Sequence, residues 1–430
     1  MVSLEIIITV IISLSFLVFI HELGHFLAAK KVGVHVMEFS IGFPPKLFSK
    51  IVGKTEYMIS LIPIGGYVRL KGQGIEDEDE TDPENYASKS APQRFLILVA
   101  GAAMNLLVTI IILPLIFFTG YEISAYNLLT PEVDSVIKES PAFVRGIQKD
   151  DIILSINDKQ VANWKEVDRA VTNTSEEQIS ILVKRGNDTL RTEISLSEIE
   201  KSRGVGWLAK ISPTIGHVYQ DSPAYNAGLN TNDLITHIDS NEVSDWKDIS
   251  PLVSQANGNL LQVRVLRDDK FIEFFVSPRW ESSQQSWVLG IGPETVYVTE
   301  NLKDSIVLGL KTTYFYFTGT FKFLSRLIAG KEKSDSVGGP VKIVQMMGEA
   351  AHLGFDKLLK LVAFISLQFA IFNLLPIPAL DGGHIFFLLF ESITGKTLSK
   401  NLRMSIQKVG FSLLLLLIMI VTAQDFGLFK

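Results

Sequence analysis

The sequence predicts a membrane protein: an α-helical core of four transmembrane helices interrupted by a soluble α+β block. Three observations lead there. Apolar residues make up 47% of the 430-residue chain and mean hydropathy is +0.27, a composition typical of bilayer-embedded chains. These residues are bunched into uncharged stretches at 6–20, 95–121, 361–380 and 409–424. Between the second and third stretch lies a polar block, from 122 to about 301, that contains an internal repeat.

The second, third and fourth stretches approach or exceed the roughly 20 residues needed to cross about 30 Å of hydrocarbon. The first continues through His21 to Ala28 and Ala29. A signal peptide would carry cations where this stretch has Glu5, and would not end in two His and a Glu, so it reads as a span. Lys30, Lys31, Lys46, Lys50, Lys54, Arg69, Lys71, Lys89 and Arg94 follow span one, and Lys396, Lys400 and Arg403 separate spans three and four. By the positive-inside rule both loops are cytoplasmic, which puts the termini and the soluble block on the outer face. The acidic run from Glu76 to Glu84 reads as a solvated loop.

Within the block, residues 140–164 align without gaps on 222–246, with nine of 25 positions identical. Two copies of one module follow. Each has a Ser-Pro-Ala helix start, a Gly, an alternating strand and a later β-rich run, 179–183 or 261–266. This pattern resembles the PDZ domain in its circularly permuted bacterial form, whose peptide groove lies beside a Gly-Φ-Gly-Φ loop. Gly204-Val205-Gly206-Trp207 and Leu289-Gly290-Ile291-Gly292 are the candidates for that loop. Residues 305–360 mix aromatics with Lys311, Lys322, Arg326 and Lys342, which suits an amphipathic helix pair on the outer membrane surface better than a fifth span.

A chain without cysteine has no disulfides, thiol catalysis, iron–sulfur clusters or Cys-based zinc sites, so a metal must sit on His, Asp or Glu. A net charge of −6 without a basic cluster excludes nucleic acid as a partner. His21-Glu22-Leu23-Gly24-His25 is H-E-x-x-H. On a helix the two imidazoles, four residues apart, share a face and can reach one Zn²⁺, with Glu22 placed to take a proton from water. His21 lies about 24 Å along the helix from Glu5, past the bilayer midplane, where ionisable groups are functional by default. A catalytic zinc usually takes a third protein ligand. Span three runs parallel to span one and ends in Asn373-Leu-Leu-Pro376-Ile-Pro378-Ala-Leu-Asp381-Gly382-Gly383-His384, where the prolines break the helix and irregular backbone suits an enclosed cavity. Asp381 ranks first as third ligand because its carboxylate also neutralises charge. His384 is a competitor or an outer partner.

HELGH in span one, NLLPIPALDGG in span three, the two repeats and four spans overall resemble the bacterial branch of the site-2 protease family of intramembrane zinc metalloproteases, over nearly the whole chain. The resemblance implies His21, His25 and Asp381 as zinc ligands, Glu22 as general base and Asn373 as a substrate contact. It implies a location in the bacterial inner membrane, single-span membrane proteins as substrates (anti-sigma factors or signal-peptide remnants), cleavage after a first trimming cut, and peptide ligands for the PDZ pair. It also implies a membrane re-entrant β-hairpin, matched by 55–70, with Ile59, Leu61, Gly65 and Gly66 on the substrate strand. Pro44 stands where relatives have the second Gly of a Gly-x-Gly loop, and 101–105 resembles a small-residue segment of the family.

The domain reading is therefore 1–121, spans one and two with the hairpin; 122–208 and 209–300, PDZ domains; 301–360, membrane-surface helices; 361–430, spans three and four. Two other functions fit the same residues: a membrane-anchored zincin cleaving soluble peptides, and a PDZ scaffold whose H-E-x-x-H is vestigial.

Overall fold

The computed structural model describes residues 4–73, 81–174, 176–202, 204–281, 286–331, 338–396 and 398–428. Most of the acidic run, Glu76 to Glu80, lies outside them. The chain forms two compact units, residues 1–121 with 299–430, and residues 122–298.

Among the described residues the first unit has seven helices: α1 (Leu4–Lys31), α2 (Ala91–Thr119), α3 (Leu302–Ile328), α4 (Pro340–Leu353), α5 (Phe355–Leu374), α6 (Asp381–Thr394) and α7 (Lys400–Asp425). Among the described residues α1, α2, α5 and α7 are long and apolar enough to cross a membrane. They form because 20-odd apolar residues in lipid must satisfy their own amides, which only a helix does within one segment. The start of α2 is set by Ser90, whose N–H donates to Gln93 Oε1 at 3.1 Å, and by Pro92 in its first turn.

Small residues hold the unit together. A Cβ on Gly24 of α1 would strike the Ala100 carbonyl of α2, so the two helices touch backbone to backbone. From α2, Thr109 Oγ1 donates to Ala363 O of α5 at 2.9 Å, and Ser366 Oγ of α5 donates to Asn105 O at 2.8 Å. The pair predicted as surface helices is more engaged than that picture implies. α3 packs lengthwise on α2, with Gly309 against the Pro114 ring, while Tyr316 and Thr320 meet Phe364 and Gln368 of α5. α4 packs on α1, α5 and α7 with Met347 fully buried.

Span three was predicted to 380, but α5 stops at Leu374. Pro376 and Pro378 supply no amide donors, and the chain passes through tight turns, Ile377 N–H to Leu375 O at 2.7 Å and Leu380 N–H to Ile377 O at 2.9 Å. Asp381 then opens α6, a helix not anticipated from sequence.

Two long strands, β1 (Val36–Val52) and β2 (Thr55–Leu70), pair twice. The first half of β1 takes the end of β2 on one side (Phe39 with Val68, Ile41 with Gly66) and its beginning on the other (Phe39 with Tyr57, Ile41 with Ile59). The beginning of β2 also takes the second half of β1 (Phe48 with Ile59, Lys50 with Tyr57). The spatial order is therefore 66–70, 36–41, 55–60, 46–52, with 66–70 and 46–52 at the edges.

In the second unit the repeat is structural as well as sequential. Strands Lys159–Gln160, Ile152–Ile156, Gln178–Arg185 and Asp188–Ser195 form one sheet, and Asn241–Glu242, Leu234–Ile238, Leu261–Arg267 and Lys270–Val276 form another in the same order. Each covers its own apolar core, one around Ile153, Ile181 and Val183, the other around Ile235, Val263 and Val265. Each also holds one buried carboxylate in a guanidinium fork: Asp151 on Arg185 at 2.7 and 2.8 Å, and Asp233 on Arg267 at 2.6 and 2.7 Å. Burial pushes the Asp151 carboxyl up, but the Arg185 hydrogen bonds and the Gln148 amide outweigh it and hold the group below the usual carboxylate range.

Candidate metal centre

His21 and His25 lie one turn apart on α1, and the α1–α2 contact at Gly24 turns that face toward α2. Their Nε2 atoms are 3.1 Å apart. Asp381, at the first position of α6, brings Oδ2 to 3.1 Å from His21 Nε2 and 3.3 Å from His25 Nε2. A tetrahedral zinc with bonds of about 2.0–2.1 Å spaces its ligand atoms about 3.3–3.4 Å apart, so the three atoms already sit close to the edges of such a site. Among the described residues they form the group of His, Asp and Glu side chains able to share one ion.

The surroundings fit the same role. His25 Nδ1 lies 2.7 Å from the Ile97 carbonyl, which can only accept, so Nδ1 carries the proton and Nε2 presents its lone pair. His21 Nδ1 lies 3.3 Å from the Asn105 amide. Gly101 of α2 backs the centre: a Cβ there would stand 2.5 Å from His25 Nε2 and 2.7 Å from His21 Nε2, so only a residue without a side chain leaves the space a metal needs.

Glu22 follows His21 on α1, and the Val68 backbone lies within electrostatic reach of its carboxylate. Val68 belongs to the edge segment 66–70, so Glu22 and the sheet edge adjoin. Asn373 sits half-buried in the last turn of α5, just before the break that leads to Asp381. His384 lies one turn beyond Asp381 with its Nε2 3.4 Å from Gln407 Nε2, outside the ligand group.

The expectation that Ile59 lies on a strand open to substrate needs correction. Ile59 is paired with Ile41 on one side and Phe48 on the other, so its backbone is enclosed; Leu61 lies just beyond the enclosed stretch 55–60. The folding of β1 and β2 back on themselves, which alternation alone does not reveal, puts the outer edge at 66–70. The Ile59 side chain instead lines an apolar recess of about 330 Å³, together with Ile11, Phe16 and Phe19 of α1 and Pro63. Gly66 lies on the edge segment, and Gly65 precedes it at φ +99°. The resemblance of 101–105 to a small-residue segment of the family does not by itself point to a contact between Asn105 and His21. A lone amide in an apolar span was the available signal for Asn105.

Comparison with known proteins identifies the family. The model for Peptidase family M50 matches residues 9–417. Regulator of sigma E protease of Haemophilus influenzae is 29% identical, covering 97% of each chain. Regulator of sigma-E protease RseP of Escherichia coli is 28% identical over 97% of each, and zinc metalloprotease RasP of Geobacillus kaustophilus is 30% identical over 98% of each. With a family match that spans both halves of the metal centre and relatives aligned end to end, this chain belongs to Peptidase family M50, the site-2 protease family.

Proposed function

We propose that the chain is an intramembrane zinc metalloendopeptidase that hydrolyses a peptide bond within the transmembrane segment of a single-span membrane protein. The observation that carries this reading is the convergence of His21 Nε2, His25 Nε2 and Asp381 Oδ2 to within 3.3 Å of one another beside Glu22, with both imidazoles and Glu22 on a helix apolar enough to span a bilayer. His21, His25 and Asp381 hold the zinc, which when bound polarises the scissile carbonyl and acidifies water. Glu22 takes a proton from the attacking water and returns it to the leaving amine. The Val68 backbone, on the sheet edge beside Glu22, brings that edge next to the group that moves the proton.

A substrate helix hides its carbonyls in its own hydrogen bonds, so it must unwind before attack. The edge segment 66–70 is the surface on which the unwound strand can pair, because its outward groups adjoin Glu22 and, among the described residues, no strand occupies that side. This sheet reads as the re-entrant element: Phe48, Ile51 and Leu61 are exposed in a way that suits lipid contact. Asn373, with both a donor and an acceptor, is placed to bind one more substrate backbone group.

The repeats in 122–298 are PDZ domains on the outer face of a bacterial inner membrane, with both chain ends on that face. Their sequence position between α2 and α3 suits a filter that admits substrates already trimmed by a first cut, and recruitment of peptide ends through PDZ grooves is the other use of the same fold. The functional reading is tested by incubating the purified full chain with a single-span substrate in lipid vesicles and mapping the product termini by mass spectrometry. A cut inside the apolar segment, stopped by a chelator and restored by zinc, is the expected result. Cuts confined to exposed loops would point to a surface zincin.

A further inference from the structure

We infer that Asn105 is the positioning residue that selects the metal-binding tautomer of His21, an inference that rests on the zinc reading above. Asn105 is fully buried in α2, and its amide nitrogen lies 3.3 Å from His21 Nδ1 while its Oδ1 has no hydrogen-bond partner. In that orientation the amide donates, Nδ1 accepts, and the His21 proton sits on Nε2, directed at Asp381 Oδ2 3.1 Å away. That arrangement suits a metal-free centre, because a protonated Nε2 has no lone pair to give. A half-turn of the amide exchanges its oxygen and nitrogen and moves nothing else. The Asn105 oxygen then accepts from His21 Nδ1–H, and Nε2 turns its lone pair toward the position shared with His25 and Asp381. One end of the amide stays unmatched in either orientation, and the end that accepts is the one that holds His21 in the metal-binding tautomer.

The backbone around Asn105 is fixed. Its carbonyl accepts from Ser366 Oγ at 2.8 Å and from Thr109 Oγ1 at 3.2 Å, and Thr109 Oγ1 also reaches Ala363 O at 2.9 Å. These bonds tie the Asn105 turn of α2 to α5, the helix that leads to Asp381. His25 has its own selector in the Ile97 carbonyl, which fixes one tautomer permanently. An amide at 105 differs from that carbonyl in serving His21 with or without the metal, so zinc uptake needs no rearrangement larger than the half-turn.

The test is zinc affinity, measured by chelator competition on the full chain in detergent micelles, for wild type, Asn105→Asp, Asn105→Leu and Asn105→Ala, with thermal unfolding of each zinc-free protein as a fold control. Outer hydrogen-bond partners of ligating His are worth roughly 10–100-fold in metal affinity. Asp keeps the acceptor and is expected within a few-fold of wild type; Leu and Ala have none and are expected to lose roughly 10–100-fold. Packing alone gives the reverse order, since Leu matches Asn in shape whereas Asp buries a charge. Leu or Ala binding zinc as tightly as wild type, or Asp losing as much as Leu, would overturn the inference. If Leu fails to fold, the comparison of Ala with Asp decides. Wild type that takes up no zinc would sink the zinc reading and this inference together, whereas zinc-loaded wild type with an unaffected Leu variant sinks this inference alone.

Discussion

Gly101→Ala is the smallest change that reaches the metal centre, and its effect follows from distances. The new methyl would stand 2.5 Å from His25 Nε2 and 2.7 Å from His21 Nε2, where uncompressed contact needs about 3.4 Å. The rings must therefore withdraw by roughly 0.9 and 0.7 Å, or α1 and α2 must part by a similar distance. Metal–ligand distances tolerate about 0.2 Å, so two of three ligands leave bonding range. The expected outcome is a loss of zinc affinity of about 100-fold or more, or at least roughly 2.7 kcal/mol, with cleavage lost in parallel. Gly319→Ala is the control, because Gly319 is also helical and a Cβ there meets nothing within 4 Å. Chelator competition and zinc stoichiometry on both purified variants give the measurement, with thermal unfolding of the zinc-free proteins to separate ligand displacement from misfolding. Gly101→Ala with wild-type zinc affinity and normal turnover would refute the placement of α2 behind the two imidazoles.

Three further outcomes are expected. Val68→Pro removes a backbone N–H of the edge segment beside Glu22, at an edge position where proline is tolerated; cleavage should fall by about 10–100-fold with zinc retained, and unchanged turnover would leave the edge segment a purely structural role. Asp151→Asn should cost the first repeat about 1.5–3 kcal/mol at pH 7. The folded pKa of Asp151 is lowered, so its contribution is present above the unfolded value of about 3.9 and fades as pH falls through the folded value; pulse proteolysis should show the gap to wild type closing below about pH 4, and a gap independent of pH would contradict the ion-pair account. A chain lacking residues 132–278 should cleave untrimmed substrates if the repeats filter; continued rejection of untrimmed substrate with slower cleavage of trimmed substrate would favour recruitment.

The sequence carried the parts of the fold that repeat or obey a period. Uncharged stretches of span length located the four apolar helices, and H-E-x-x-H placed two imidazoles on one helical face because spacing within a helix is set by its own geometry. The proline-broken segment before Asp381 was legible for the same local reason, although α5 ends six residues earlier than the hydropathy does. What escaped was set by contacts between distant segments. The double pairing of β1 and β2, which encloses Ile59 and exposes 66–70, depends on where each strand bends, and alternation of apolar residues is the same for a simple hairpin. The lengthwise packing of α3 on α2 depends on Gly309 meeting Pro114, two residues nearly 200 positions apart. Asn105 and Gly101 belong to a small-residue segment whose role the sequence alone leaves open, because it is set by how α1 stands against it.

The central claim is that one cluster binds zinc through three residues and moves protons through a fourth. Its most direct test is zinc content and cleavage measured side by side for wild type, Glu22→Gln and Asp381→Ala, each verified to be inserted in membranes. Glu22→Gln is expected to hold zinc at wild-type stoichiometry and to cleave nothing, because the amide preserves shape but accepts no proton, while Asp381→Ala is expected to lose both. A Glu22→Gln protein that still cleaves its substrate, or an Asp381→Ala protein that keeps full zinc and normal turnover, would contradict the account.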